Sequence, residues 1–209
     1  MEDAKPNPLK RVWNPPNPYL SQYRDWLGEP PVAQLEVYEE DAKMILSHND
    51  SPDVGFRWSV NPYRGCFHAC AYCYARPTHE YLGYGAGTDF ERKIVAKRNA
   101  PQLLAAAFRR PKWAGERIVF SGVTDCYQPL EAVWSLTRGC LQVCRDFRNP
   151  VGLITKSLLV RRDVDVLRDL AREAQAHVFM SIAFLDESVV RAIEPGTPTI
   201  PGQSHLNFK

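Results

Sequence analysis

The sequence predicts an α/β protein built on a parallel sheet, and two observations carry that expectation. From residue 56 onward, short apolar runs alternate with amphipathic stretches of helical character. The apolar runs are also continuous rather than split into polar and apolar positions, the signature of strands covered on both faces and joined by right-handed helical crossovers. With 209 residues, 44% hydrophobic and 24% charged, the chain is long enough for one domain with a real core and an extension.

The elements follow in order. Residues 1 to 31 hold seven of the 17 prolines, interleaved with Trp13, Tyr19, Tyr23 and Trp26. That composition predicts an extended, irregular arm laying aromatics on the body, or a disordered leader over its first dozen residues. Residues 1–55 are assigned to this Pro/aromatic-rich extension and 56–195 to the core. "FRWSVNPY" reads as a strand entering a cysteine loop, "RKIVAK" as a short extended piece, and "PQLLAAAFRR" (101–110) as a helix opened by proline. Then come strand 117–123, helix 130–147, strand 151–157, helix 163–175, strand 177–184 and helix 186–194, the last with Asp186 as N-cap. Residues 196–209 show neither strand nor helix periodicity and are expected to be an irregular tail.

A formal charge of +2 is too small to argue for nucleic acid or membrane by itself. No run approaches eighteen apolar residues, and the start lacks the apolar core of a secretory signal. The expected compartment is the cytoplasm, where thiols stay reduced, so six cysteines point to metal, catalysis or burial before disulfides.

Three of those cysteines crowd into "RGCFHACAYCYARP", with Cys66, Cys70 and Cys73 at offsets of zero, four and seven. Such offsets also share one helical face, which would pack them into a core. Pro62 and Gly65 before the triplet, Pro77 after it, and Arg64, His68 and Arg76 among the thiols read instead as a ligand-bearing loop. Structural zinc requires four ligands, so His68 or His79 would have to complete the set. An iron-sulfur cube takes thiolates, and three of them leave one iron open to a substrate.

The pattern C-x3-C-x-aromatic-C just after a first strand resembles the signature of the radical S-adenosylmethionine (radical SAM) superfamily. "NPYRGCFHACAYCYARPTHEYLG", "DFERKIVAK", "TDCYQPLE", "ITKS" and "AIEPGTP", in that order over residues 45 to 197, are similar to its spore photoproduct lyase-like branch. The resemblance implies a partial TIM-type (β/α)6 barrel with the site at the carboxyl ends of the strands, a location also expected physically. It implies a 4Fe-4S cluster on Cys66, Cys70 and Cys73, with S-adenosylmethionine (SAM) chelating the open iron. Reductive cleavage of SAM would then give a 5′-deoxyadenosyl radical that abstracts hydrogen from a substrate. A low-potential flavodoxin or ferredoxin is the implied electron donor. The substrate is left open, and a nucleic acid is compatible with it.

By the same resemblance Tyr72 matches the position near adenine, with loop packing as the plainer role. Ser121, Thr124 and Asp125 follow the second strand, where the family binds the polar end of SAM; as turn and cap residues they would be equally at home. Lys156 ends the third strand, where its ammonium suits a carboxylate or simply solvent. Ser181 lies in the fourth strand, where a buried hydroxyl needs a partner and the family analogue touches SAM.

Cys140 and Cys144 share a helical stripe with Leu136, Val143 and Phe147, which predicts core burial, an auxiliary cluster being the alternative. Cys126 is expected near the mouth of the site. Residues 109–112 and Arg161-Arg162 suit phosphate binding or a solvated face. Only about four β/α units are legible, so the chain reads as a C-terminally truncated member with one open parallel edge. The rival readings are a non-catalytic metal-binding or nucleic-acid-binding module, or an inactive fragment that still holds a cluster.

Overall fold

The structure is a computed structural model that describes residues 34–198. The expectations for the aromatic arm (1–31) and for most of the tail (199–209) lie outside the described residues. Four parallel strands form the core of the fold: β3 (Trp58–Val60), β6 (Ile118–Phe120), β7 (Val151–Thr155) and β8 (Ala176–Met180). They stand in the order β3-β6-β7-β8, and β2 (Leu46–His48) adds an antiparallel edge beside β3. Register places Val60 opposite Phe120, Phe120 opposite Leu153, and Leu153 opposite Val178.

Those four residues share one face of the sheet with Ile118 and Val151, and that face carries the main core. Three helices cover it: α2 (Ala100–Phe108) through Leu104 and Phe108, α4 (Leu136–Asp146) through Cys140, Leu141 and Cys144, and α5 (Val164–Glu173) through Val166, Leu167 and Leu170. The opposite face is less covered. Ile154 and Phe179 are exposed there, beside a cleft of about 380 Å³ lined with Val119, Ile154, His177 and Phe179. Among the described residues β8 pairs only with β7, which leaves the open parallel edge that the sequence predicts.

Three features depart from the sequence reading. First, β1 (Glu36–Glu40) and β2 lie in what reads as extension; β1 pairs in parallel with β5 (Lys93–Lys97), which pairs antiparallel with β4 (Tyr63–Arg64). "RKIVAK" therefore belongs to a separate three-stranded sheet that buttresses the cysteine loop. Second, the strand expected at 56–63 is interrupted, its two halves, β3 and β4, serving different sheets.

Third, the single helix expected at 130–147 is two, α3 (Glu131–Trp134) and α4, broken at Ser135 with φ of 52°. The cause is Glu131. Its buried carboxylate accepts the free N–H groups of Thr137 (2.9 Å) and Arg138 (3.2 Å) at the start of α4, the partnership that an opening helical turn requires. Arg162 and the Tyr63 hydroxyl complete the carboxylate's shell at 2.6 and 2.5 Å. The last helix, α6 (Glu187–Ile193), starts as expected, with Asp186 accepting from the N–H groups of Ser188 and Val189.

Candidate functional site

The cysteine stretch is a chain of turns rather than a helix, so its 0-4-7 spacing does not define a packed helical face. Gly65 opens it at φ of 75°, and a Cβ there would stand 2.7 Å from the Phe90 carbonyl oxygen; only glycine fits that crossing. Cys66 N–H then donates to the same oxygen at 2.9 Å.

Two side chains lock the loop by its backbone. Gln128, fully buried, brackets Cys66: its Oε1 accepts from Phe67 N–H at 3.0 Å and its Nε2 donates to Gly65 C=O at 3.2 Å. The Arg76 guanidinium donates to the carbonyls of Ala69 (3.1 Å), Cys70 (3.0 Å) and Gly87 (2.9 Å), and is neutralised by Glu91 at 3.0 Å.

The end of α6 and the residues after it cross this loop. Ala71 N–H donates to Ile193 C=O at 2.8 Å and Gly196 N–H to His68 C=O at 3.0 Å. The approach is so close that a Cβ on Gly196 would lie 2.1 Å from the Phe67 carbonyl oxygen.

All three thiols are free, Cys66 and Cys70 buried and Cys73 partly so. Burial pushes the Cys70 thiol up to about 12, and negative charge on Glu194 and Cys66 adds to the rise. Burial raises Cys73 as well, with Cys66 again contributing. Three soft donors whose negative charges oppose one another fit a cationic centre, which would draw off their protons. Among the described residues no three His, Cys, Asp or Glu side chains are gathered closely enough to share one metal ion.

The structure brings Tyr72, Lys156 and Ser181 together. Lys156 Nζ lies 3.1 Å from Ser181 Oγ and 5.6 Å from the centre of the Tyr72 ring. A residue that the sequence reading overlooked joins them: Glu194 pairs with Lys156 at 2.7 Å and accepts the Tyr72 hydroxyl. Its position in "AIEPG", a carboxylate at the unfavourable end of a helix, was the available signal. Burial works against the Lys156 charge, but Glu194 and Tyr72 outweigh it and hold the ammonium above its usual range.

Ser121, Thr124 and Asp125 sit at the carboxyl end of β6 and are engaged mainly with the protein. Ser121 Oγ accepts from Cys126 N–H at 2.9 Å. Asp125 accepts from Tyr127 N–H (2.9 Å), Thr155 Oγ1 (2.7 Å) and the main-chain N–H of Lys156 (2.8 Å), stitching β6 to β7. His68 Nδ1 lies 3.3 Å from the same carboxylate. Thr124 Oγ1 is buried with no hydrogen-bond partner among the described residues, a polar atom still available to a ligand. His79 is committed elsewhere, its Nε2 lying 2.8 Å from the Lys93 carbonyl oxygen.

Two expectations are corrected. Cys126 does not face the mouth; it is fully buried in the main core together with Cys140 and Cys144, for which burial was expected. Arg162 is neither a phosphate ligand nor a solvated side chain. It is bound to Glu131 and Asp163, both fully buried, because those carboxylates need a counter-charge more than the surface does.

Parallel strands with a three-cysteine loop across their carboxyl ends place the chain in a class of α/β proteins. The radical SAM superfamily model matches residues 60–200, and the chain belongs to that superfamily. An uncharacterized protein of Mycobacterium tuberculosis is 41% identical over 144 residues, covering 69% of this chain and 42% of that protein. An uncharacterized protein of Methanocaldococcus jannaschii is 30% identical over 167 residues, covering 80% and 59%.

The fold resembles spore photoproduct lyase complexed with dinucleoside spore photoproduct, with a TM-score of 0.54 at 19% identity over 87% of this chain and 51% of the lyase. The lyase variant with bound AdoMet gives 0.53 at 20% identity with the same coverage. The chain thus spans about half the length of these proteins. Among the described residues no helix is long and apolar enough to cross a membrane.

Proposed function

We propose that the chain binds a 4Fe-4S cluster through Cys66, Cys70 and Cys73 and uses it to cleave SAM reductively. The single observation that carries this reading is the meeting of Lys156, Ser181 and Tyr72 beside the three-thiol loop. When bound and reduced, such a cluster supplies the electron that splits SAM into methionine and a 5′-deoxyadenosyl radical able to abstract hydrogen.

The protein's own residues bind and orient. Gln128 and Arg76 fix the loop backbone on either side of Cys66 and at Cys70. In this reading the Lys156 ammonium and the Ser181 hydroxyl, already within hydrogen-bond reach of each other, take the SAM carboxylate as a charge-assisted pair. Tyr72 offers its ring to the adenine. Thr124, with its hydroxyl unspent, serves the polar end of SAM, while Ser121 and Asp125 hold the strand ends around it.

The electron donor in this proposal is a low-potential flavodoxin or ferredoxin. A nucleic-acid substrate is the finer part of the reading. It is supported by the likeness in fold to a lyase that holds a dinucleoside photoproduct, and by Tyr74, an exposed ring next to Cys73 suited to stacking on a base.

Anaerobic reconstitution with iron and sulfide tests the cofactor. The expected result is a brown protein with about four irons per chain and an EPR signal that SAM perturbs. One tightly held zinc and no cluster would replace the enzyme with a structural metal module.

A further inference from the structure

Glu194 is 3% exposed, yet it lies at the carboxyl end of α6, where a helix disfavours negative charge. The basic residue of that last turn, Arg191, is paired with Glu187 instead. Glu194 is compensated from two other elements: Lys156 at the end of β7, 2.7 Å away, and the Tyr72 hydroxyl from between Cys70 and Cys73. An ammonium has three N–H groups. Here one serves Glu194 and one Ser181 at 3.1 Å, and the Tyr72 ring centre lies 5.6 Å from the same nitrogen.

We infer that Glu194 is a positioning residue of the SAM site: it holds the Lys156 ammonium beside Ser181, in place for the SAM carboxylate, and at the same time anchors Tyr72, the aromatic residue between Cys70 and Cys73. The inference rests on the proposed function. Lysine has a long, mobile stem, and ordering it before the ligand arrives removes a cost that SAM binding would otherwise bear. The backbone around Glu194 serves the same end, because the hydrogen bonds from Ala71 to Ile193 and from Gly196 to His68 tie this segment to the cysteine loop on both sides of the carboxylate.

The test is a double-mutant cycle read as SAM affinity, by anaerobic equilibrium dialysis on cluster-loaded protein. E194A is expected to weaken SAM binding by about tenfold or more, the loss of a charge-assisted contact, with iron content and the cluster absorption unchanged. K156M is expected to weaken it as well. In the K156M background E194A should cost clearly less than it does in wild type, because only its hold on Tyr72 is left to lose. Unchanged or tighter SAM binding by E194A, or penalties that multiply in the double variant, would overturn the inference. If E194A does not load a cluster, E194Q, which keeps the volume and an oxygen acceptor, takes its place in the cycle under the same criterion. A wild-type chain that loads iron but binds no SAM would remove the underlying reading and this inference with it, and that outcome is recognised without any variant.

Discussion

Gln128 brackets Cys66 without touching its sulfur, accepting from the N–H of the residue after it and donating to the carbonyl of the residue before it. A strand neighbour would make the same two bonds, but here they come from one fully buried side chain. The first cysteine is therefore held through the backbone of its two neighbours, and Gln128 makes no claim on its thiol.

Replacing Gln128 with Leu keeps the volume and leaves a buried N–H and a buried carbonyl unpaired, at a cost of about 1–3 kcal/mol. The expected outcome is a folded protein with a lower thermal midpoint and reduced iron uptake on reconstitution. Glutamate at the same position still accepts from Phe67 but sets a buried carboxylate against the Gly65 carbonyl oxygen, so Q128E should lose at least as much as Q128L. Iron per chain equal to wild type in Q128L would show that the bracket does not set the loop.

The cysteines divide into two groups with opposite expectations. Cys66→Ala, Cys70→Ala or Cys73→Ala should each abolish the 4Fe-4S absorption, since no other thiol among the described residues lies outside the main core to replace the lost one. Cys140→Ala removes only a buried sulfur, costing about 1 kcal/mol, and should load a full cluster. A complete cluster in the Cys70 variant would sink the ligand assignment.

How much of this was legible in the sequence depends on the range of each interaction. The thiol loop is a local pattern, and the four parallel strands are continuous apolar runs, so both could be read directly. β1, by contrast, is largely exposed along Glu36–Glu40 and pairs with a strand more than fifty residues away; it carries no alternation to find. The break at Ser135 could not be read because α3 and α4 together have good helical periodicity, and the interruption is caused by what Glu131 binds. Gln128 acts on backbone atoms more than sixty residues back in the chain and Arg76 on carbonyls six to eleven residues away, contacts that leave no periodic trace. Lys156 and Ser181 could be placed by their strand ends, whereas Glu194 showed itself only as a carboxylate at the wrong end of a helix, and its partners Lys156 and Tyr72 are brought to it by the fold.

Gly196 tests the strap over the cysteine loop. Alanine there would put a Cβ 2.1 Å from the Phe67 carbonyl oxygen, and since the obstacle is backbone, the strap must move. The expected cost is about 1–3 kcal/mol, as for overpacking. Hydrogen exchange should show the Ala71 amide, which donates to Ile193, losing protection, while amides of β6 and β7 keep theirs. Unchanged protection at Ala71 would mean that the strap tolerates the side chain.

Asp163 gives a pH dependence whose sign follows from its partners. It is fully buried and accepts from Tyr127 (2.9 Å), Arg162 (2.8 Å) and Arg138 (2.9 Å). Burial alone would raise its carboxyl, but Arg162, Arg138 and Tyr127 outweigh burial and hold it below the usual carboxylate range. A group whose folded value is depressed binds its proton more readily in the unfolded chain. Its stabilisation is therefore complete above the unfolded value of about 3.9 and is lost as the pH falls toward the folded one. Asp163→Asn removes the charge from between two arginines and should destabilise the protein at neutral pH by about 3 kcal/mol, the lower end for breaking a buried ion pair. Arg162 and Arg138 keep Glu131 and Asp165, which limits the loss. Denaturant unfolding from pH 7 to pH 3 should show the gap between wild type and variant constant down to about pH 4 and then closing, because wild type progressively loses what the variant never had. A gap that stays constant to pH 3 would mean that Asp163 does not titrate as a paired carboxylate and that the network draws its stability from Glu131 instead.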